Sequence, residues 1–262
     1  MKKILPKIAL FLCLLFSAAV ANAAVPNGSL LDGVKPGPDG KIDVLMVSPH
    51  PDDESIYAAG TLILMKQNPA VRVHILCLTT GDLSPSEKRL KISKEEMGRV
   101  RVEEMKKAAT VIGADSLTQF DYHDQGLSSA DQQELARRVG QVIKSTGAEV
   151  IISYGPDGIT HHPDHVAASR VVTSEFKKSA AQRLYYISLP EPVYPVYYLY
   201  KRVHPLRATV RVDIRQARKL KMLALDSHSS QKYFDQPGLR LEMSDLFRHE
   251  YFALAAENPA PF

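Results

Sequence analysis

The stretch Ser48-Pro49-His50-Pro51-Asp52-Asp53-Glu54 sets an imidazole and three consecutive carboxyl side chains directly behind a mainly apolar run, Ile42 to Val47. That run reads as a buried strand, and Ser55 to Lys66 has the apolar spacing of a helix. A turn of this kind between strand and helix constrains the chain to an open α/β sheet, whose ligands bind at the carboxyl edge of the strands. Three adjacent acids beside a histidine repel one another, so something positive must offset them. A divalent metal is the simplest candidate. A second cluster, His161-His162-Pro163-Asp164-His165, lies far downstream.

The rest of the chain alternates strands and helices. Val71 to Thr79 reads as a second strand, and the polar residues 82–92, with Pro85, as a loop at the same sheet edge. Ser93 with Glu96 three residues on is a capping box. It opens a helix striped by Met97, Val100, Met105, Ala108 and Ile112 and ended by Gly113. Leu117 to Tyr122 reads as a strand, Asp131 to Thr146 as an amphipathic helix and Glu149 to Ser153 as the strand before the second histidine cluster. Leu184 to Ser188 and Thr209 to Ile214 follow as strands, Arg215 to Ser227 as a helix, and Arg248, His249 and Glu250 as part of a last helical turn. This order predicts an α/β fold with a mostly parallel sheet covered on both faces. Residues 183–207 hold six tyrosines and four prolines. They read as a packed connection or as a rim of aromatic faces for a sugar.

The first 23 residues stand apart. Lys2, Lys3 and Lys7 precede an apolar run, Ile8 to Val20, and Ala21-Asn22-Ala23 is a small-x-small cleavage signal, so residues 1–23 read as a secretory leader. The run is shorter than the roughly 20 apolar residues of a bilayer span. Cleavage removes three lysines from a formal net charge of +4 and leaves no argument for nucleic acid as a partner. It also leaves Cys77 as the one cysteine, inside an apolar run, where a buried structural thiol is expected. An exported domain without disulfides suits a bacterial periplasm or the cell exterior. Residues 24–40, with three prolines and four glycines, read as an extended arm before a domain of residues 41–262.

A hydrolytic metal site takes three protein ligands and an open position. His50 and Asp53, three apart at a strand-to-helix turn, can reach one ion, and His165 lies at the end of another strand of the same sheet. Pro163 suits the first turn of a helix, so His162 precedes that helix and His165 sits within it, the two facing one way. Asp52 is a candidate general base, and a protonated His162 a candidate oxyanion donor. Adjacent acids at a helix start also serve the helix dipole. Two such clusters at two strand ends favour a site. The chain has no Gly-x-Ser-x-Gly turn and no glycine-rich phosphate loop.

Pro49-His50-Pro51-Asp52-Asp53-Glu54 after the first strand, with His162-Pro163-Asp164-His165 downstream, resembles the PIG-L/LmbE-like family of metal-dependent de-N-acetylases, over roughly residues 42–253. Arg101-Val102-Glu103-Glu104, Asp124-Gln125-Gly126-Leu127, Lys221 with His228-Ser229-Ser230-Gln231, and Glu250-Tyr251-Phe252 are similar to further family signatures. The resemblance implies a Rossmann-like three-layer domain with a zinc site of His50, Asp53 and His165, Asp52 as general base and His162 steadying the oxyanion. Arg101 and Asp124 fall at positions near the substrate, and His228 is expected to buttress the site. The implied reaction is hydrolysis of the N-acetyl group of an amino sugar. His161 departs from the glycine common at its position. Two histidines and a carboxylate suit zinc, and equally ferrous iron in the cell.

Three other readings stay open: a sugar-binding protein that holds metal with weak turnover, a hydrolase of a non-sugar amide, and a phosphoesterase. Asp52 and His162 argue against pure binding, and the scarcity of Arg and Lys around the motifs argues against phosphate. The expected partner is an N-acetylated sugar or glycan, and the oligomeric state is left open.

Overall fold

A computed structural model describes residues 25–194, 198–199, 206–231 and 248–258. The leader expected over residues 1–23 lies outside the described residues, as do Tyr197 and Tyr200 of the tyrosine-rich segment. No helix among the described residues is long and apolar enough to cross a membrane.

Seven strands form one sheet: β1 (Ile42–Ser48), β2 (Val71–Thr79), β3 (Ser116–Tyr122), β4 (Val150–Ser153), β5 (Arg183–Ser188), β6 (Val210–Asp213) and β7 (His249–Glu257). Their order is β3-β2-β1-β4-β5-β7-β6. The first five run parallel, and β7 is antiparallel to both β5 and β6. Helices α1 (Asp53–Tyr57), α2 (Ala59–Met65), α3 (Ser86–Leu90), α4 (Lys94–Ile112), α5 (Gln132–Thr146), α6 (Pro163–Phe176) and α7 (Arg218–Ser227) connect them.

Alternation along the strands makes three layers. Val44 and Met46 of β1 pack with α2, α4 and α7 through Leu62, Met105, Ile112 and Ala224. Leu45 and Val47 turn to the other face and meet Leu135, Val139, Ala168 and Phe176 of α5 and α6. A sheet buried on both faces is what the near-continuous apolar runs of β1 and β2 require. Cys77 is fully buried on β2, and burial pushes its thiol up. β2 and β3 lie on one side of β1, and β4 and β5 on the other. The carboxyl ends of β1 and β4 therefore flank the point where strand order reverses, which is where open α/β sheets place their ligands.

Several expectations are met closely. Ser93 caps α4 by accepting the Glu96 N–H (3.1 Å), and Gly113 ends it at φ 80°. His162 is the N-cap of α6, with Pro163 in its first turn.

Others are corrected. Ser55 to Lys66 is two helices, broken at Ala58. The Glu250 carboxylate accepts the N–H groups of Gly60 (2.9 Å) and Thr61 (2.7 Å), supplying partners for a fresh helix start. Gly60 lets that start approach Ile214, whose side chain would stand 2.7 Å from an added Cβ. The predicted loop over residues 82–92 contains α3, because Pro85 begins that helix instead of breaking it. His249 and Glu250 open strand β7 instead of closing a helix, since two partner strands hydrogen-bond to it. The arm over residues 24–40 is anchored: Leu30 and Val34 enter the core, Asn27 bridges to Arg211, and Gly28 and Arg211 donate N–H bonds to Arg211 and Pro26 carbonyls (3.1 and 3.0 Å).

Glu250 also holds Lys221, Nζ to Oε1 at 2.6 Å, with both side chains wholly buried. Lys221 donates a second bond to the Ile56 carbonyl (2.7 Å), and burial lowers its pKa. Removing one charge strands the other. Glu250→Ala should cost about 3–5 kcal/mol in urea unfolding. Lys221→Met with Glu250→Leu should recover part of that loss. A Glu250→Ala loss below about 1 kcal/mol would show the pair to be energetically idle.

Candidate active site

His50 follows β1, Asp124 follows β3, and Tyr154, His162 and His165 follow β4, so separate strand ends deliver the side chains to one place. Hydrogen bonding fixes the state of each ring. His165 Nδ1 lies 3.1 Å from the Gly158 carbonyl and must donate to it, which leaves Nε2 a bare lone pair. His50 Nε2 lies 3.1 Å from both Asp124 Oδ1 and Asp164 Oδ2, so it carries a proton. His50 Nδ1 then faces His165 Nε2 at 3.2 Å, and the two Asp53 oxygens stand 3.6 Å from one or other of these nitrogens. Converging nitrogen and carboxylate lone pairs call for a cation. The donor set, each histidine braced on its far nitrogen, suits a metal ion.

His50, His162 and His165 also bring donor atoms within 4.8 Å of one another. His162 Nδ1, however, accepts the Asp164 N–H (3.2 Å), so its neutral ring carries the proton on Nε2 and is a donor. His50, Asp53 and His165 therefore fit as the ligand set. His162 is half-buried beside them, its ring 4.7 Å from that of His50 and 4.9 Å from that of His165.

The electrostatics agree. Burial opposes charge on His50, but hydrogen bonds to Asp124, Asp164 and Asp53 outweigh it and raise this imidazole well above its ordinary value. Burial pushes His165 down to about 4. Burial would lift Asp53, yet His165 and His50 hold it below the usual carboxylate range. Without a metal, a proton on His50 Nδ1 supplies the positive charge, and an ion must displace it. Ion binding near neutral pH should therefore release about one proton from His50. Affinity should fall as pH drops below the raised His50 value and level off above it. Calorimetric titration in buffers of different ionisation enthalpy measures this directly. Binding with no proton release would mean His50 is already neutral.

Asp52 is buried, with its backbone at φ 133° and ψ −28°, a strained conformation for a side-chain-bearing residue that costs on the order of 1–3 kcal/mol. Its Oδ2 accepts from Arg101 Nη2 at 2.7 Å. Ile159 and His161 also have positive φ, 62° and 56°, in the turn Gly158–His161 that presents the Gly158 carbonyl to His165. That conformation explains how His161, an exposed imidazole, occupies a position suited to glycine.

The two residues expected near substrate, Arg101 and Asp124, are bonded to residues of the site. Arg101 is 3 % exposed, and its guanidinium bonds to Asp52, the Pro51 carbonyl and the Gly81 carbonyl (3.0 Å). A Cβ at Gly81 would sit on that guanidinium. Asp124 braces His50, and its own N–H is held by Asp82 (2.8 Å).

Other residues were given no role by the sequence reading. Asp164 braces His50 and accepts the N–H groups of Gln125 (2.6 Å) and Leu127 (3.0 Å), tying the second motif to the turn after β3. Its place inside the His-Pro-Asp-His motif was the available signal. Tyr154 donates to Asp53 Oδ1 (2.6 Å) and stacks its ring 4.0 Å from that of His165. Its signal was weaker: it directly follows a predicted strand.

The chain is 27 % identical over 208 residues to the probable N-acetyl-α-D-glucosaminyl L-malate deacetylase 2 of Bacillus anthracis, covering 77 % of this chain and 87 % of that protein. Among solved structures it is similar to the N,N'-diacetylchitobiose deacetylase of Pyrococcus horikoshii, with TM-score 0.63, 18 % identity, and 97 % and 94 % of the two chains covered. It is also similar to GalB, the 4-carboxy-2-hydroxymuconate hydratase of Pseudomonas putida, with TM-score 0.60, 16 % identity, and 84 % and 99 % covered. Likeness to both a hydrolase and a hydratase shows a shared fold, and the reaction has to be argued from the site. The PIG-L family model, described as GlcNAc-PI de-N-acetylase, matches residues 45–176, just over half of the chain and inclusive of both histidine motifs. A match over more than half of its length shows that the chain belongs to the PIG-L family of de-N-acetylases.

Proposed function

We propose that this chain is an exported, metal-dependent hydrolase that removes the N-acetyl group from a 2-acetamido sugar, giving acetate and a free amine. The observation that carries the reading is the convergence of lone pairs from His50, Asp53 and His165 beside an anchored carboxylate, Asp52. A divalent ion in that set, zinc as isolated and ferrous iron as the alternative, supplies Lewis acidity toward the amide carbonyl and the attacking water. Asp52 takes the proton of that water as its oxygen bonds to the carbonyl carbon. His162 donates its Nε2–H to the oxygen on which negative charge develops. The C–N bond then breaks, and the proton held by Asp52 passes to the departing nitrogen. Arg101 keeps Asp52 in place, while Asp124 and Asp164 keep His50 in its tautomer.

The sugar class is supported by the deacetylases to which the chain is similar, and export by the leader of residues 1–23. The test is acetate release from N-acetylglucosamine, N,N'-diacetylchitobiose and peptidoglycan fragments, with and without chelator, followed by reconstitution with zinc or, anaerobically, with ferrous iron. Chelator-sensitive release from at least one sugar is expected. Metal at full occupancy with no release from any of them would favour a sugar-binding protein or a non-sugar amide. Activity restored by iron alone would replace zinc.

A further inference from the structure

The strained backbone of Asp52 is enclosed by a ring of hydrogen bonds whose members come from three parts of the chain. Its N–H donates to Glu54 Oε2 at 3.1 Å. Glu54 is fully buried, and its other oxygen accepts from Ser55 Oγ (2.6 Å) and from His228 Nε2 (2.9 Å). His228, 1 % exposed at the end of α7, also brings Nε2 within 3.3 Å of Ser55 Oγ, inside the same cluster, and its Nδ1 has no partner among the described residues. The loop that follows is pinned by Glu104 of α4, which accepts from Ser229 Oγ (3.0 Å), Ser230 N–H (2.7 Å) and Ser230 Oγ (2.7 Å). One turn before Glu104 on the same helix is Arg101, which returns to Asp52 Oδ2 and to the carbonyl of Pro51.

We propose that His228, through Glu54, is a positioning residue for the general base, holding Asp52 in a backbone conformation it would otherwise leave. This rests on Asp52 being the base in the function proposed above. Two features argue for positioning over plain stability. A buried imidazole with an unsatisfied nitrogen is costly in a core, and an apolar side chain could fill the volume without that cost. The bonds also converge on the one residue of β1's trailing turn with a positive φ, and strain persists only where its surroundings enforce it. Glu54 anchors the backbone on the N–H side and Arg101 anchors the carboxylate, so helix α4 sets both ends of the clamp, directly through Arg101 and through the 228–230 loop by Glu104.

The experiment compares His228→Ala with His228→Gln, whose amide can still donate, each purified with metal content measured. His228→Ala is expected to keep its metal and KM and to lose kcat by roughly ten- to a hundredfold, the scale for outer partners of catalytic groups. His228→Gln should restore most of it. In an Asp52→Ala background, His228→Ala should cost nothing more, because its effect passes through the missing carboxylate. An equal loss in both backgrounds, or no loss in either, overturns the proposal. Crystal structures of the variants decide independently of any substrate: in His228→Ala, Asp52 should leave its positive φ or release Arg101. Asp52 unmoved would defeat the clamp. Should the wild-type protein hydrolyse no acetamide, the function reading fails on that result, while this structural arm still judges the clamp. If His228→Ala does not fold, Glu104→Gln, which weakens the loop's anchor, takes its place with the same expectations.

Discussion

Replacing His165 with alanine is expected to strip the metal from the protein while leaving the fold in place. The His165 ring contributes one of three converging donors, and its Nδ1 bond to Gly158 is local to the turn before α6. Its loss removes the ring contact with Tyr154 and leaves the aliphatic core of both faces in place. Affinity should fall by more than about a hundredfold, beyond what loss of an outer partner causes. Tyr154→Phe gives the internal comparison. It removes only the bond to Asp53 and should cost about ten- to a hundredfold in affinity. Metal analysis after dialysis against a weak chelator, with circular dichroism for the fold, separates the two. Stoichiometric metal in His165→Ala would break the proposed ligand set and turn attention to His162, whose donor atom also lies within reach of the cluster.

Asp52→Ala should do the reverse, retaining metal and losing turnover by about two to four orders of magnitude. That is roughly 3–5 kcal/mol of transition-state stabilisation. The loss should fall on kcat with KM nearly unchanged, because the base acts on the proton that moves in the transition state. The backbone adds a second signature. Asp52→Gly removes the same carboxylate and equally strands Arg101 but tolerates φ 133° without strain, so it should match the activity loss and unfold at a higher temperature than Asp52→Ala. Metal loss in Asp52→Ala would make Asp52 a ligand, and turnover within tenfold of wild type would assign the base elsewhere.

Local chemistry was legible in the sequence wherever its partners were close by. The nine residues of β2 coincide with the predicted run, and Ser93, Gly113, Asp131 and His162 cap helices as their residue types predict. The two motifs come together because each lies at the end of a strand in one parallel sheet, a relation that alternation alone implies. What stayed hidden depends on partners far away. The break at Ala58 exists because Glu250, about 190 positions later, accepts the Gly60 and Thr61 N–H groups. The segment from His249, rich in Ala and Glu, has helical propensity locally and becomes a strand because β5 and β6 are there to pair with it. Arg101 read as a residue near substrate because it belongs to a recognisable signature. Its bonds to Asp52, Pro51 and Gly81 depend on a turn geometry that no spacing discloses.

The anchored arm has a consequence for the protein's behaviour in solution. β6 is the terminal strand of the sheet, and a bare terminal strand offers its main-chain donors and acceptors to any other chain. Here Pro26, Asn27 and Gly28 lie against Arg211 and occupy those groups, with Arg211 Nε bonded to the Asn27 side chain at 2.9 Å. A mature chain starting at Ala24 would retain this cover by a margin of two residues. Trimming a few residues further would open a seam for strand-to-strand aggregation, so under the proposed export the site of cleavage would also set solubility.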